Sequence, residues 1–161
     1  MLTVKRTRFG QRAVLMALLL TLGSSTLGCA QDISGLKSRA EKGDAQAESA
    51  LGNAYHTGTG VAKDEVEAAH WWQKAAEQGN VGAETDLGLL YHVGLGVPKD
   101  DAEAVRWWQK AAEPGVVTAQ VNLATAYHLG TGVSKDDAES ARWYSRAAEK
   151  GDPSAQLGLT G

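Results

Sequence analysis

The sequence predicts an all-α fold, a right-handed α-α superhelical repeat solenoid of three full 36-residue repeats with a half repeat at each end. Three observations predict it. First, identities recur at one interval: Gly43, Gly79, Gly115 and Gly151 stand 36 residues apart, as do Tyr55, Tyr91 and Tyr127, and Trp71, Trp107 and Trp143. A period of about 20–50 residues marks stacked supersecondary units, none of which can bury its apolar face alone. Second, apolar residues inside each unit fall at helical spacing, as Ala47, Leu51 and Tyr55 do. Third, each unit carries aspartate and glycine where helices start and stop.

Residues 1–29 stand apart from the repeats. Lys5, Arg6, Arg8 and Arg12 form a basic stretch with no acid beside them, and an apolar run follows from Ala13 to Leu22. About ten apolar residues are too few to span a bilayer as a helix. Small residues come next, among them Gly23, Ser24, Gly28 and Ala30. This order of charge, apolar run and small residues is that of a secretory signal, so the chain is expected to leave the cytoplasm for the periplasm. Cys29 is the only cysteine, which excludes an intrachain disulfide. Thr26-Leu27-Gly28-Cys29 resembles the lipobox of bacterial lipoproteins, with Thr where Leu is usual. That reading makes Cys29 a lipidated first residue, anchored to the outer membrane. Cleavage after Ala30, with Gly28 and Ala30 as the small pair, is the competing reading.

Residues 30–161 form the solenoid. Ile33 to Lys42 aligns with the second helix of a repeat, giving a half repeat over 33–43. The full repeats run 44–79, 80–115 and 116–151. Their first helix, helix A, is predicted over Ala45 to His56 in the first copy. Asp44 is a good N-cap and Asn80 takes that part in the second copy, whereas Val116 cannot in the third. Gly58 is placed to end the helix in a left-handed conformation. Helix B opens on Asp64-x-x-Glu67, Asp100-x-x-Glu103 and Asp136-x-x-Glu139, a pattern resembling a capping box with Asp as the cap. Ala68, Trp72, Ala75 and Ala76 then mark an apolar face, and Gly79 is the stop. Pro114 reinforces the stop in the second copy. Residues 152–161 repeat the start of helix A, with Asp152-Pro153 as cap and first-turn proline.

These residues together resemble the Sel-one-like repeat (SLR) family, a relative of the tetratricopeptide repeat. The first copy shows its pattern as Leu51-Gly52, Tyr55, Gly58-x-Gly60-Val61, Asp64, Trp71, Ala75-Ala76 and Gly79. The second shows it from Leu87-Gly88 to Gly115. The third keeps it apart from Ala124, where the pattern has Gly. The resemblance implies a non-catalytic scaffold or adaptor of the cell envelope, binding a protein or peptide partner on the concave face of the solenoid. Alignment of helix A on the tetratricopeptide relative implies that Asn53, Leu89 and Thr125 occupy one groove position, and His56, His92 and His128 the next. Leu89 stands out, because an apolar side chain there is not needed by a core already holding Leu87 and Tyr91.

Other chemistries are weighed against the repeat. The histidines sit in neighbouring units whose helices lie about 8–10 Å apart, too far for three rings to share one ion, so no metal site is expected. The pairs Trp71-Trp72, Trp107-Trp108 and Trp143-Tyr144 suggest peptidoglycan or exopolysaccharide stacking as an alternative function, though core positions account for them. Gly-x-Gly in each loop lacks the rest of a phosphate-binding pattern and reads as a turn. Ser34-Gly35-Leu36-Lys37 fits the S-x-x-K of β-lactam-interacting hydrolases, but S-D-N and K-T-G are missing. No catalytic residue and no cofactor is assigned. Past residue 29 the chain holds 12 basic and 19 acidic residues, a charge of about −7, which disfavours nucleic acid.

Overall fold

The computed structural model describes the backbone of residues 24–158 and the side chains of 33–158. Within them lie eight α-helices: α1 (Ser24–Glu41), α2 (Ala45–Thr57), α3 (Glu65–Glu77), α4 (Val81–Val93), α5 (Asp101–Ala112), α6 (Val117–Leu129), α7 (Asp137–Glu149) and α8 (Pro153–Gly158). Each packs chiefly on the helices before and after it in the chain, which makes an α-α solenoid. Helices α2, α4 and α6 are the A helices, and α3, α5 and α7 the B helices. The basic stretch from Lys5 to Arg12, the apolar run from Ala13 to Leu22 and Leu159 lie outside the described residues. No described helix is long and apolar enough to cross a membrane.

Helix α1 starts at Ser24, well before the half repeat expected from Ile33. Once the packed part of a helix is nucleated, each added residue gains a backbone bond at little cost. The backbone at Cys29 therefore lies inside α1, while its side chain is outside the described residues.

The helix starts follow the capping chemistry. Asp44 Oδ1 accepts from the N–H groups of Gln46 and Ala47, and Asn80 Oδ1 from that of Ala83. Val116 makes no side-chain cap bond, so α6 begins with its first amides unassisted. At the B helices only half of the capping box forms. Asp64, Asp100 and Asp136 each accept two backbone N–H groups of the first turn. The reciprocal bond is pre-empted, because the N–H groups of these aspartates donate to the carbonyls of Tyr55, Tyr91 and Tyr127 at 3.0, 2.8 and 2.9 Å. Glu103 and Glu139 turn outward to Arg106 and Arg142 instead. The loop is thus closed by a backbone bond from each B helix to the A helix before it.

Gly58, Gly94 and Gly130 end the A helices in the left-handed conformation. The second loop glycine has a further constraint. A Cβ on Gly96 would overlap the carbonyl oxygen of Glu65, so this loop seats directly on the start of α3 in the preceding repeat. Pro114 shortens α5, which stops at Ala112.

The core lies between the A and B rows. Leu51, Leu87 and Leu123 are fully buried and in register, enclosed by paired alanines of the B helices. Trp72, Trp107, Trp108 and Trp143 are buried with them. One buried polar position was not foreseen: Glu48, Glu84 and Gln120, equivalent residues of the A helices. Glu48 is 1% exposed and accepts from Gln78 Nε2, while Gln120 Nε2 donates to the carbonyl of Ala112 at 3.1 Å. The first contact ties the A helix to the end of the B helix within one repeat, and the second ties the third repeat to the end of the second.

Candidate functional site

The six residues marked by alignment all lie on the A helices α2, α4 and α6. Asn53 and Leu89 are exposed, and Thr125 is half-buried. Leu89 keeps 48% of its surface accessible, because Leu87 and Leu90 already fill the core side of α4. His56 and His92 are half-buried and His128 is exposed.

The structure brings three of the six into one depression between α4 and α6. It holds about 130 Å³ and is walled by Leu89, His92, Thr125, Leu129 and Thr131, with Trp108 from α5 behind them. Asn53, His56 and His128 lie outside it. Asn122 and Ala126 also line it. Sequence reading missed Asn122, Ala126, Leu129 and Thr131, and weighed Trp108 only as a core or sugar-stacking residue. The signal for Leu129 was available: it is in register with Thr57 and Val93, and exposed apolar residues stand at the last two of these three positions. Its lining mixes apolar Leu89, Trp108, Ala126 and Leu129 with polar His92, Asn122, Thr125 and Thr131, the composition of a small recognition pocket.

The histidines have a structural duty. His56 Nδ1–H donates to Glu65 at 2.8 Å, His92 to Asp101 at 2.6 Å and His128 to Asp137 at 2.9 Å. A carboxylate can only accept, so Nδ1 carries the proton in each pair. Lys63, Lys99 and Lys135 approach the same three carboxylates at 3.0, 3.5 and 3.4 Å. Each repeat therefore clamps the end of helix A to the start of helix B through a His–carboxylate–Lys set. The hydrogen bonds from His92 and His128 hold Asp101 and Asp137 below the ordinary carboxylate range. Burial opposes ionisation of Glu65, but the bonds from His56 and Lys63 prevail and lower it too. His56 and His92 also lie against Trp72 and Trp108, with ring centroids 5.4 and 5.5 Å apart. One face and one nitrogen of these rings are committed to the fold, and only the outer edge is left for a partner.

Asp86 is a further residue that sequence reading passed over. It sits on α4 one turn before Leu89, half-buried. Burial pushes its carboxyl above the ordinary range, and His56 across the groove opposes that only in part. It has no hydrogen-bond or ion-pair partner among the described residues.

The remaining candidates have packing duties. The Trp71, Trp107 and Trp143 rings are covered by Lys74, Lys110 and Arg146 at 4.5, 4.0 and 4.5 Å from their centroids. Trp72 and Trp108 are buried against Gly52 and Gly88. Lys37 of the S-x-x-K stretch lies 5.5 Å from the Tyr55 ring centroid, and Leu36 packs on the cluster around Leu51. Among the described residues no group of three His, Cys, Asp or Glu is placed to hold a metal ion.

The comparisons with known proteins agree with this architecture. The family model described as Sel1 repeat matches residues 45–80, 81–115 and 117–152, a phase within a residue or two of the units read from the sequence. No curated protein sequence matches the chain. Among solved structures, the chain is similar to a protective antigen of uropathogenic Escherichia coli strains that displays an SLR fold, with 39% identity and a TM-score of 0.79. That match covers 81% of this chain and only 28% of the antigen, so the chain spans under a third of that protein's length. A Sel1 repeat protein from Oxalobacter formigenes is 37% identical over 81% of this chain and 98% of its own, with a TM-score of 0.74. Cysteine rich protein B of Helicobacter pylori shares the fold at 18% identity and a TM-score of 0.64, covering 84% of this chain and 97% of its own. Units of this kind are generally non-catalytic scaffolds for protein–protein interaction. With three matched repeats over most of its length and the helix pairs to go with them, the chain belongs to the Sel1 repeat family.

Proposed function

We propose that the chain is an exported, non-catalytic scaffold of the bacterial cell envelope that holds a protein or peptide partner on the concave face, along its A helices. The observation that carries this reading is the depression between α4 and α6, with Leu89 on one flank and Leu129 on the other. Both leucines are exposed, 48% and 64%; the repeat has polar Asn53 and Thr125 at the positions equivalent to Leu89, and Thr57 and the exposed Val93 at those equivalent to Leu129. An apolar pair around a small pocket, rimmed by Asn122 and Thr131, suits an anchor residue of a partner. The basic and apolar stretches before residue 23 support export, and Cys29 supports attachment by lipid. The test is affinity capture from envelope extracts by wild type and by Leu89→Ser in parallel. A partner retained by the first and lost by the second supports the reading. Equal capture by both would move the site off this groove.

A further inference from the structure

Helix α4 departs from its neighbours at two adjacent groove positions. Leu89 stands where the other A helices have Asn53 and Thr125, and Asp86 where they have Ala50 and Asn122. Both departures run against stability. One exposes a leucine, and the other half-buries a carboxylate with no partner among the described residues. Neither is required by the repeat, since the equivalent positions do without them. The other carboxylates on this side are already matched: Glu65, Asp101 and Asp137 each have a His and a Lys. Asp86 alone among these four has no such pair, and only His56 acts on it electrostatically.

The two residues are three apart on one helix, so their Cβ atoms are about 5–6 Å from each other. Asp86 lies one turn before Leu89 on the same face of α4 and within electrostatic reach of His56 on α2, and Leu89 lines the depression shared with α6. A chain crossing α4 would therefore meet an acid on one side and an apolar pocket on the other. In an extended peptide, side chains two residues apart point the same way and stand roughly 6.6–7 Å apart. We propose that the groove over α4 takes an extended segment of a partner protein bearing a large apolar residue and a lysine or arginine two positions apart. The apolar side chain sits between Leu89 and Leu129, and the cation pairs with Asp86. Asn122, which lines the same depression, offers both a donor and an acceptor to the backbone of the guest. The net charge of about −7 outside the export segment favours a cationic guest as well.

This inference rests on the groove reading above, and the experiment separates the two. The probes are blocked heptapeptides Gly-Ser-Leu-Ser-Arg-Ser-Gly and Gly-Ser-Arg-Ser-Leu-Ser-Gly, with versions carrying Glu for Arg or Ser for Leu. Each is titrated into the 15N-labelled chain, and the amide shifts of α4 and α6 are followed. One order of the Leu and Arg pair should bind at least tenfold tighter than its Glu counterpart. Asp86→Asn, an amide already accommodated at this position by Asn122, should bring that preference below about threefold. If leucine peptides bind equally with Arg or Glu, and Leu89→Ser abolishes them, the groove reading stands and the basic specificity is overturned. If no peptide shifts these amides at millimolar concentration, both are overturned. If the same amides broaden with protein concentration before peptide is added, a second copy covers the groove and the peptide proposal fails.

Discussion

The indole of Trp108 lies directly on Gly88: a Cβ built on that glycine would fall 2.5 Å from the ring's Cδ1 and Nε1. Trp72 covers Gly52 in the same way. In the third repeat both partners differ, with Tyr144 in place of Trp and Ala124 in place of Gly. The departure from the repeat pattern at Ala124 is therefore half of a matched exchange. Tyr144 leaves room for a methyl group, and its hydroxyl meets Thr125 Oγ1 at 2.8 Å.

That relationship predicts a coupled pair. Gly88→Ala gains about 1 kcal/mol of helix propensity but forces the indole aside, at about 1–3 kcal/mol. The overlap wins, because the ring is only 4% exposed and must shift as a whole to clear a methyl group, and Trp108→Tyr in the same chain should recover most of the loss. Urea melts of the two single variants and the double give the coupling. Simple additivity would show that the two sites do not share space.

Trp107 is 9% exposed, shares a core cluster with Leu87 and Leu90 of its own repeat and with Trp72 and the α3 alanines of the first, and is capped by Lys110. Trp107→Ala should cost about 3–5 kcal/mol. In a stack held by neighbour contacts, loss at the centre should uncouple the ends, so thermal melting should broaden as well as shift. An unchanged melt would show that Trp107 is not part of the core.

The fold was legible because the repeat states it three times. Any single copy of Leu51, Tyr55 and Ala75 is weak evidence, but three copies in one register leave little freedom. The site was legible only in outline. Alignment placed Leu89 on the groove, but could not show that His92 bonds to Asp101 or that Trp108 reaches the pocket, since both depend on how one helix sits on the next. The reciprocal half of the capping box failed for a similar reason. The Tyr91 carbonyl lies closer to hand for the Asp100 N–H than any local side chain, and only the three-dimensional loop reveals it. Asp86 was missed because its significance lies in missing partners.

Acid stability should report the His–carboxylate clamps. His92 and His128 hold Asp101 and Asp137 below the ordinary 3.8. A depressed folded-state value contributes stability that is present above the ordinary value and lost as the pH falls through the depressed one. Asp86, raised by burial, has the opposite sign: its ionised form weakens the fold, and that penalty lifts as the pH falls through the raised value. Replacing His92 and His128 with Phe keeps a ring and removes the donor. The double variant should melt lower than wild type at pH 7, and the two curves should converge as the pH falls below the ordinary 3.8 and through the depressed values. Parallel curves across that range would rule out the clamp as the source.

Attachment to the membrane should depend on Cys29. Acyl chains contribute about 0.8 kcal/mol per buried CH₂, and more than one chain anchors stably. Cys29→Ala should move the protein from the membrane fraction to the soluble periplasmic fraction. A wild-type protein that is already soluble, with Gln31 as its first residue, would show cleavage after Ala30 instead.

Leu89 is the sharpest probe of the groove. A variant that also removes His92 would confuse two effects, because His92 ties α4 to Asp101 and rests on Trp108. Leu89→Ser alone changes a side chain that is 48% exposed and flanks the depression without entering the fully buried row of Leu51, Leu87 and Leu123. Substitutions at such positions usually change stability by under about 0.5 kcal/mol. An apolar anchor covered by a partner is worth more than that, so binding should weaken at least tenfold, or about 1.4 kcal/mol. The two quantities are to be measured on the same preparation, by melting and by retention of the captured partner. A loss of binding with an unmoved melt places the partner on Leu89. A fall in both would show that Leu89 supports α4 from within, and the convex face formed by the B helices would become the surface to test.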